Sequence, residues 1–116
     1  ELLLSSAGHE PPLILSSDGT FSNFSEAGPP LGIMPKTKYP EHTIPFEKSS
    51  MYIFTDGITE IKNPSGEMLG SEGFENYIKK YQSTPINERL KTMIDDILGA
   101  GHIQKDDLTI VAIDGK

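Results

Sequence analysis

Two aspartates stand at the ends of strand-like segments. Met51-Tyr52-Ile53-Phe54 has no polar member and runs through Thr55 into Asp56-Gly57, while Leu108-Thr109-Ile110-Val111-Ala112-Ile113 is entered through Asp106-Asp107. If the two segments are antiparallel neighbours, the exit of the first lies beside the entrance of the second, and the carboxylates of Asp56 and Asp106 meet. Two ionised carboxylates so placed repel, so one takes up a proton or a cation sits between them. Oxygen donors with no Cys and few His favour a hard ion, Mg²⁺ or Mn²⁺, over zinc or copper. Gly57 would let the backbone turn away sharply and leave room for ion and water. Such an ion could activate water against a phosphate ester and neutralise phosphoryl charge. The spacing also admits a plain reading, with Asp56-Gly57 a turn dipeptide and Asp106-Asp107 a solvated approach to a strand.

Other reactive side chains are less pointed. His9 sits in Ala7-Gly8-His9-Glu10-Pro11-Pro12, a rigid polar corner between apolar segments, where an imidazole either holds the loop by hydrogen bonds or serves a site. His42 and His102 have no partner pattern and read as surface residues. There is no Gly-x-Ser-x-Gly elbow and no glycine-rich phosphate loop, so serine-hydrolase and nucleoside-triphosphate readings fall away. The absence of Cys removes disulfides, thiolate zinc and cysteine nucleophiles, and suggests a reducing, cytoplasmic compartment. A formal charge of −7 disfavours nucleic acid or an anionic membrane as partner. No apolar run approaches the roughly 20 residues of a membrane span.

The elements that must position these residues divide the chain by period. Most of the 11 Gly and 9 Pro lie before residue 75, where they punctuate short apolar runs, and residues 1–5, 13–16, 20–24 and 42–47 read as the strands of the first half. Ser17-Asp18-Gly19 marks a hairpin. Ala27-Gly28-Pro29-Pro30-Leu31-Gly32 reads as a shaped loop, since adjacent prolines remove two ladder donors. Past residue 70 the period becomes helical. Ser71 can cap a helix with Phe74, Tyr77, Ile78 and Tyr81 on one face, and Lys79-Lys80 as a solvated face. Pro85 starts another helix carrying Ile86, Leu90, Met93, Ile94 and Ile97, stopped by Gly99 and Gly101. With 116 residues this is one α+β domain, a mainly antiparallel β-sheet flanked by two helices.

In order and spacing, five blocks resemble the bacterial metal-dependent Ser/Thr phosphatases of the sporulation-stage-II-E and sigma-factor-regulator type, relatives of protein phosphatase 2C. They are Ser6-Ala7-Gly8-His9-Glu10-Pro11-Pro12-Leu13, Gly28-Pro29-Pro30-Leu31-Gly32, Tyr52-Ile53-Phe54-Thr55-Asp56-Gly57-Ile58-Thr59-Glu60, Asn63-Pro64-Ser65-Gly66-Glu67 and Asp106-Asp107-Leu108-Thr109. The resemblance implies a β-sandwich flanked by helices, of which this chain is half, with two Mn²⁺ or Mg²⁺ ions and a bridging water. It assigns Asp56 and Asp106 as metal ligands, and Gly57, Asp107 and His9 as supporting residues around them. It implies phosphoserine or phosphothreonine substrates, typically a phosphorylated anti-sigma-factor antagonist.

The departures set further expectations. Ser6 and Glu10 stand where the family usually has Asn and Pro, and the family's upstream Gly-Asp-x-x-Gly-His-Gly block is not among these residues. The chain opens on Glu1 and reads as the C-terminal part of the phosphatase domain, residues 1–116, with the upstream part missing. With two carboxylates alone, metal binding should be weak or absent and the fragment inactive. Uncovered strand edges should make the fragment a homo-oligomer, through strands such as residues 2–5. A different class of function, a non-catalytic phosphatase-like interaction module of a response regulator, is the alternative.

Overall fold

The short apolar runs of the first half become strands because each alternates or fully buries its side chains against a neighbour. The computed structural model describes residues 1–22 and 28–116, so the expected strand at 23–24 and the first residue of the expected loop at 27 lie outside the described residues. Two compact units divide the chain: Glu1–Ile53 with Ile113–Lys116, and Phe54–Ala112.

In the first unit β1 (Leu2–Ser5) pairs antiparallel with β4 (Glu41–Ile44), Leu2 opposite Ile44 and Ser5 opposite Glu41. The strand β2 (Leu13–Leu15) turns through Asp18 into β3 (Phe21–Ser22) and pairs antiparallel on its other side with β5 (Ser50–Phe54). The hairpin forms as its sequence demands. Asp18 Oδ1 accepts from the Thr20 N–H at 2.9 Å and its hydroxyl at 2.6 Å, and the Ser16 N–H donates to the Thr20 carbonyl at 2.9 Å. These bonds favour the ionised Asp18 carboxyl and lower its pKa. Buried Ile14, Ile44 and Met51 form the core here, with Leu2, Leu4, Phe46 and Ile53 packed around them. Ser50, 2% exposed, donates its hydroxyl to Asp114 Oδ1 at 2.6 Å.

The second unit holds the helices: α1 (Asp56–Thr59), α2 (Gly70–Lys80) and α3 (Ile86–Gly99). The last strand, β6 (Ile110–Asp114), borders a sheet of order β3-β2-β5-β6. Ile58, Phe74, Ile78, Met93 and Ile97 are fully buried in this unit. Phe54 meets Phe74 edge-to-face, centroids 5.0 Å apart.

Several sequence expectations are corrected by packing. Ser71 does not cap α2; it sits in the first turn, because the Leu69 N–H is tied to the Ile61 carbonyl at 2.7 Å and the helix begins at Gly70 with no side-chain cap. Pro85 stands one residue before α3, and the buried stripe is Arg89, Met93, Ile97, while Ile86 is 42% exposed. Arg89 takes a core position because its Nε donates to the Thr84 carbonyl at 3.0 Å, which satisfies a polar group the hydrophobic pattern could not anticipate. Lys80 is not simply solvated: it bridges to Asp96 at 2.7 Å, and Tyr81 donates its hydroxyl to the same carboxylate. Those hydrogen bonds, Lys80 first and Tyr81 second, hold the Asp96 carboxyl below its ordinary 3.8 and raise the Lys80 ammonium and Tyr81 phenol. The two other histidines are half-buried, not plain surface residues, and His102 Nδ1 donates to the Ile97 carbonyl at 3.0 Å, closing the end of α3. Among the described residues no helix is long and apolar enough to cross a membrane.

Candidate functional site

The strand pair expected from the sequence forms in the expected sense. The Thr55 N–H donates to the Thr109 carbonyl at 3.1 Å and the Thr109 N–H to Thr55 Oγ1 at 3.3 Å, while the Gly115 N–H donates to the Ser49 carbonyl at 2.8 Å. Partners that advance on one chain as they recede on the other define an antiparallel pair, so the residues following Thr55 and those preceding Thr109 leave the ladder at the same end.

Asp56 differs from the expectation in local structure. It is not the end of a strand followed by a sharp turn but the first residue of α1, whose Asp56 carbonyl accepts from the Glu60 N–H at 2.9 Å and the Thr59 hydroxyl at 3.2 Å. Burial of Ile58, with no exposed surface, pulls the chain into this turn of helix. Gly57 is buried and helical, and its role is close approach: a methyl group there would collide with the carbonyl oxygen of Asp107. The missing side chain is thus what lets the Asp106-Asp107 segment lie against the start of α1. Gly57→Ala is expected to cost about 1–3 kcal/mol of stability, the range for forcing atoms into a packed site; urea denaturation of the variant checks it, and an unchanged midpoint would show that the segment is free to give way.

The Asp106 carboxylate is held by its own backbone, Oδ1 accepting from the Asp107 N–H at 2.8 Å, and the Asp106 carbonyl accepts from Gln104 Nε2 at 3.1 Å. The side chains of Asp56, Asp106 and Asp107 belong to exposed residues, open to an ion or substrate from solvent. Among the described residues no three His, Cys, Asp or Glu side chains gather as a metal-holding group. Asp56 and Asp106 each carry carboxylate oxygens of the kind a hard cation takes.

His9 belongs to the first unit, and Asp56 and Asp106 to the second. Its Nδ1 donates to the Glu10 carbonyl at 2.8 Å. The corner around it is pinned by the Gly8 N–H to the Gly28 carbonyl at 2.7 Å, and Gly8, at φ +68°, has Pro30 where a side chain would go.

A cleft of about 400 Å³ opens beside Gly57 and Asp106, with Lys62, Met68, Ile103 and Lys105 on its walls. Lys62 and Thr55 are residues that the sequence reading missed. Thr55 supplies the side-chain oxygen that closes the strand pair, and Lys62 stands in isolated bridges to both Met68 and Ile103. The Thr at the head of the Thr-Asp-Gly block could have signalled the first; single-residue bridges leave no period by which to find the second.

These antiparallel strands and three helices have the fold of phosphatase 2C-like domains. The SiaA-PP2C domain of Pseudomonas aeruginosa superposes with a TM-score of 0.71 at 21% identity, covering 90% of this chain and 42% of that one. The RsbU and RsbW domains of Rv1364c from Mycobacterium tuberculosis give 0.68 at 23%, covering 95% and 31%, and the phosphatase domain of SpoIIE from Bacillus subtilis gives 0.62 at 18%, covering 98% and 55%. Residues 1–116 match the Stage II sporulation protein E (SpoIIE) family throughout, and the chain belongs to that family. It is also 31% identical over 115 residues to protein IcfG of Synechocystis sp. (strain ATCC 27184 / PCC 6803 / Kazusa), a match covering 92% of this chain and 17% of IcfG.

Proposed function

We propose that the chain is the C-terminal part of a metal-dependent phosphoserine/phosphothreonine protein phosphatase in bacterial regulatory signalling. The observation that carries the reading is the seating of the Asp106-Asp107 segment against side-chain-free Gly57, which gathers the two aspartate blocks at one end of the strand pair. Family membership and the phosphatase 2C-like fold support it. Asp56 and Asp106 would hold Mn²⁺ or Mg²⁺ together with donors from outside residues 1–116. A divalent ion bound there supplies an activated water and neutralises charge on the phosphoryl oxygens. The chain's own residues prepare for this: the Asp107 N–H holds one Asp106 oxygen, and the Thr55–Thr109 bonds fix the end of the strand pair.

Residues 1–116 alone are proposed to be inactive, because two carboxylates bind a hard cation weakly. The partner proposed is a phosphorylated protein of the anti-sigma-factor-antagonist type, and fragments cut to this length are proposed to self-associate. The experiment is release of phosphate from a phosphoserine peptide by protein carrying the complete domain, with Mn²⁺ added and then removed by chelator. Release that needs the metal is the expected result; no release in its presence would reject the reading and favour a non-catalytic interaction module.

A further inference from the structure

The cleft beside Asp106 has a composition that the metal chemistry does not require. Lys62 and Lys105 both line it, in a chain whose net charge is −7. Among the described residues no ion pair engages either ammonium, whereas Lys80 and Lys91 are taken by Asp96 and Asp95. Glu60 and Asp106 balance the two lysines, so once Asp106 is committed to a cation the cleft turns net positive. Over the buried Ile61 at its floor, two of its apolar members are open: Met68 is 58% exposed and Ile103 56%.

These side chains do not hang from loose loops. Lys62 is bridged on one side to Met68 and on the other to Ile103, and the Ile103 N–H donates to the Lys62 carbonyl at 2.9 Å. The Leu69 N–H donates to the Ile61 carbonyl at 2.7 Å, anchoring the same ledge from its neighbour. Three chain segments therefore converge on one residue and present a cation between two exposed apolar side chains, on a main-chain scaffold that loses little entropy when it binds.

We infer that this ledge is the specificity-determining subsite for the substrate protein: it takes the peptide segment around the phosphorylated residue, an apolar neighbour on Met68 and Ile103, with the phosphate's negative charge drawn by Lys62 and Lys105. The inference rests on the phosphatase reading for the chemistry at Asp56 and Asp106, but not for the recognition. A nucleic acid fits poorly because the chain is acidic overall, and a small phosphate ester would leave the apolar rim uncovered.

The test compares two substrates in protein carrying the complete domain: a phosphoserine peptide with Leu next to the phosphoserine, and p-nitrophenyl phosphate, which has no flanking chain. The variants are Lys62→Glu and the pair Met68→Ser with Ile103→Ser, all exposed positions that folding tolerates. For the peptide, kcat/KM is expected to fall about 10-fold or more with the Met68→Ser and Ile103→Ser pair, mainly through KM, while for p-nitrophenyl phosphate it stays within about 2-fold; Lys62→Glu should raise KM for both substrates, since both carry the phosphate, and the charge-keeping Lys62→Arg should restore most of the loss. Parallel changes on both substrates with the Met68 and Ile103 pair, or no change on the peptide with either variant, would overturn the inference. Fluorescence polarisation of the labelled peptide on an Asp56→Asn background separates the two claims. A 10-fold weaker Kd with Lys62→Glu upholds the ledge even where hydrolysis fails, and an unchanged Kd rejects it even where hydrolysis succeeds.

Discussion

Asp56→Asn in the complete domain is expected to lower Mn²⁺-dependent phosphate release by more than about 100-fold, beyond the 10–100-fold typical of losing a group that only supports a ligand. The amide keeps the size and the acceptor oxygen of the side chain but removes the charge on which hard-cation binding depends. Asp56 is exposed and its backbone, not its carboxylate, holds α1 together through Glu60 and Thr59. Folding stability should therefore move by no more than about 0.5 kcal/mol. Phosphate release and a Mn²⁺ titration of the melting temperature check both halves. Activity within about 3-fold of the parent would remove Asp56 from the metal centre, and a large stability loss would reassign it to the fold.

The second large effect is on stability. Phe74→Ala is expected to cost about 3–5 kcal/mol, the range for emptying an aromatic site that cannot collapse. Phe74 has no exposed surface and meets Phe54 edge-to-face at 71°. Phe54 immediately precedes the Thr55-Asp56 segment, so the packing that anchors α2 also fixes the strand end from which the aspartate departs. Urea denaturation gives the number. A loss below about 1 kcal/mol would mean that Ile58 and Ile78 close over the space. Comparison with Tyr77→Ala, a half-buried position one turn on, calibrates the result.

The two strands flanking the aspartates were legible because residues 51–54 and 108–113 are apolar or β-branched without interruption; β5 is buried as that pattern implies, whereas β6 starts only at Ile110 and leaves Val111 46% and Ile113 41% exposed. Their pairing stood in the sequence only as a condition, and the Thr55 N–H to Thr109 carbonyl bond meets it. The short helix at Asp56 was not legible: Asp-Gly is a turn signal, and what overrides it is burial of Ile58 against residues distant in sequence. The stripe of α3 held at Met93 and Ile97, both fully buried, but failed at Ile86, 42% exposed, and missed Arg89. Arg89 fills a position that hydrophobicity alone gives to Ile86 or Leu90, because its guanidinium finds a carbonyl at the preceding turn. Gly57 was marked from sequence as a site residue for its freedom of turning, yet the structure uses its smallness. Lys62 carried no signal at all, since its importance lies in main-chain bonds to two other segments.

That convergence at Lys62 also bears on how the region can diversify. The reverse turn beyond it is closed internally, by the Asn63 N–H to the Glu67 carbonyl, the Gly66 N–H to the Asn63 carbonyl and the Glu67 N–H to Asn63 Oδ1, each at 2.9 Å. A self-contained turn that is itself one of the family-resembling blocks is the fixed part of this region, so the exposed side chains at its foot, Met68 and Ile103, are the positions where new recognition can arise without disturbing the chemistry next door.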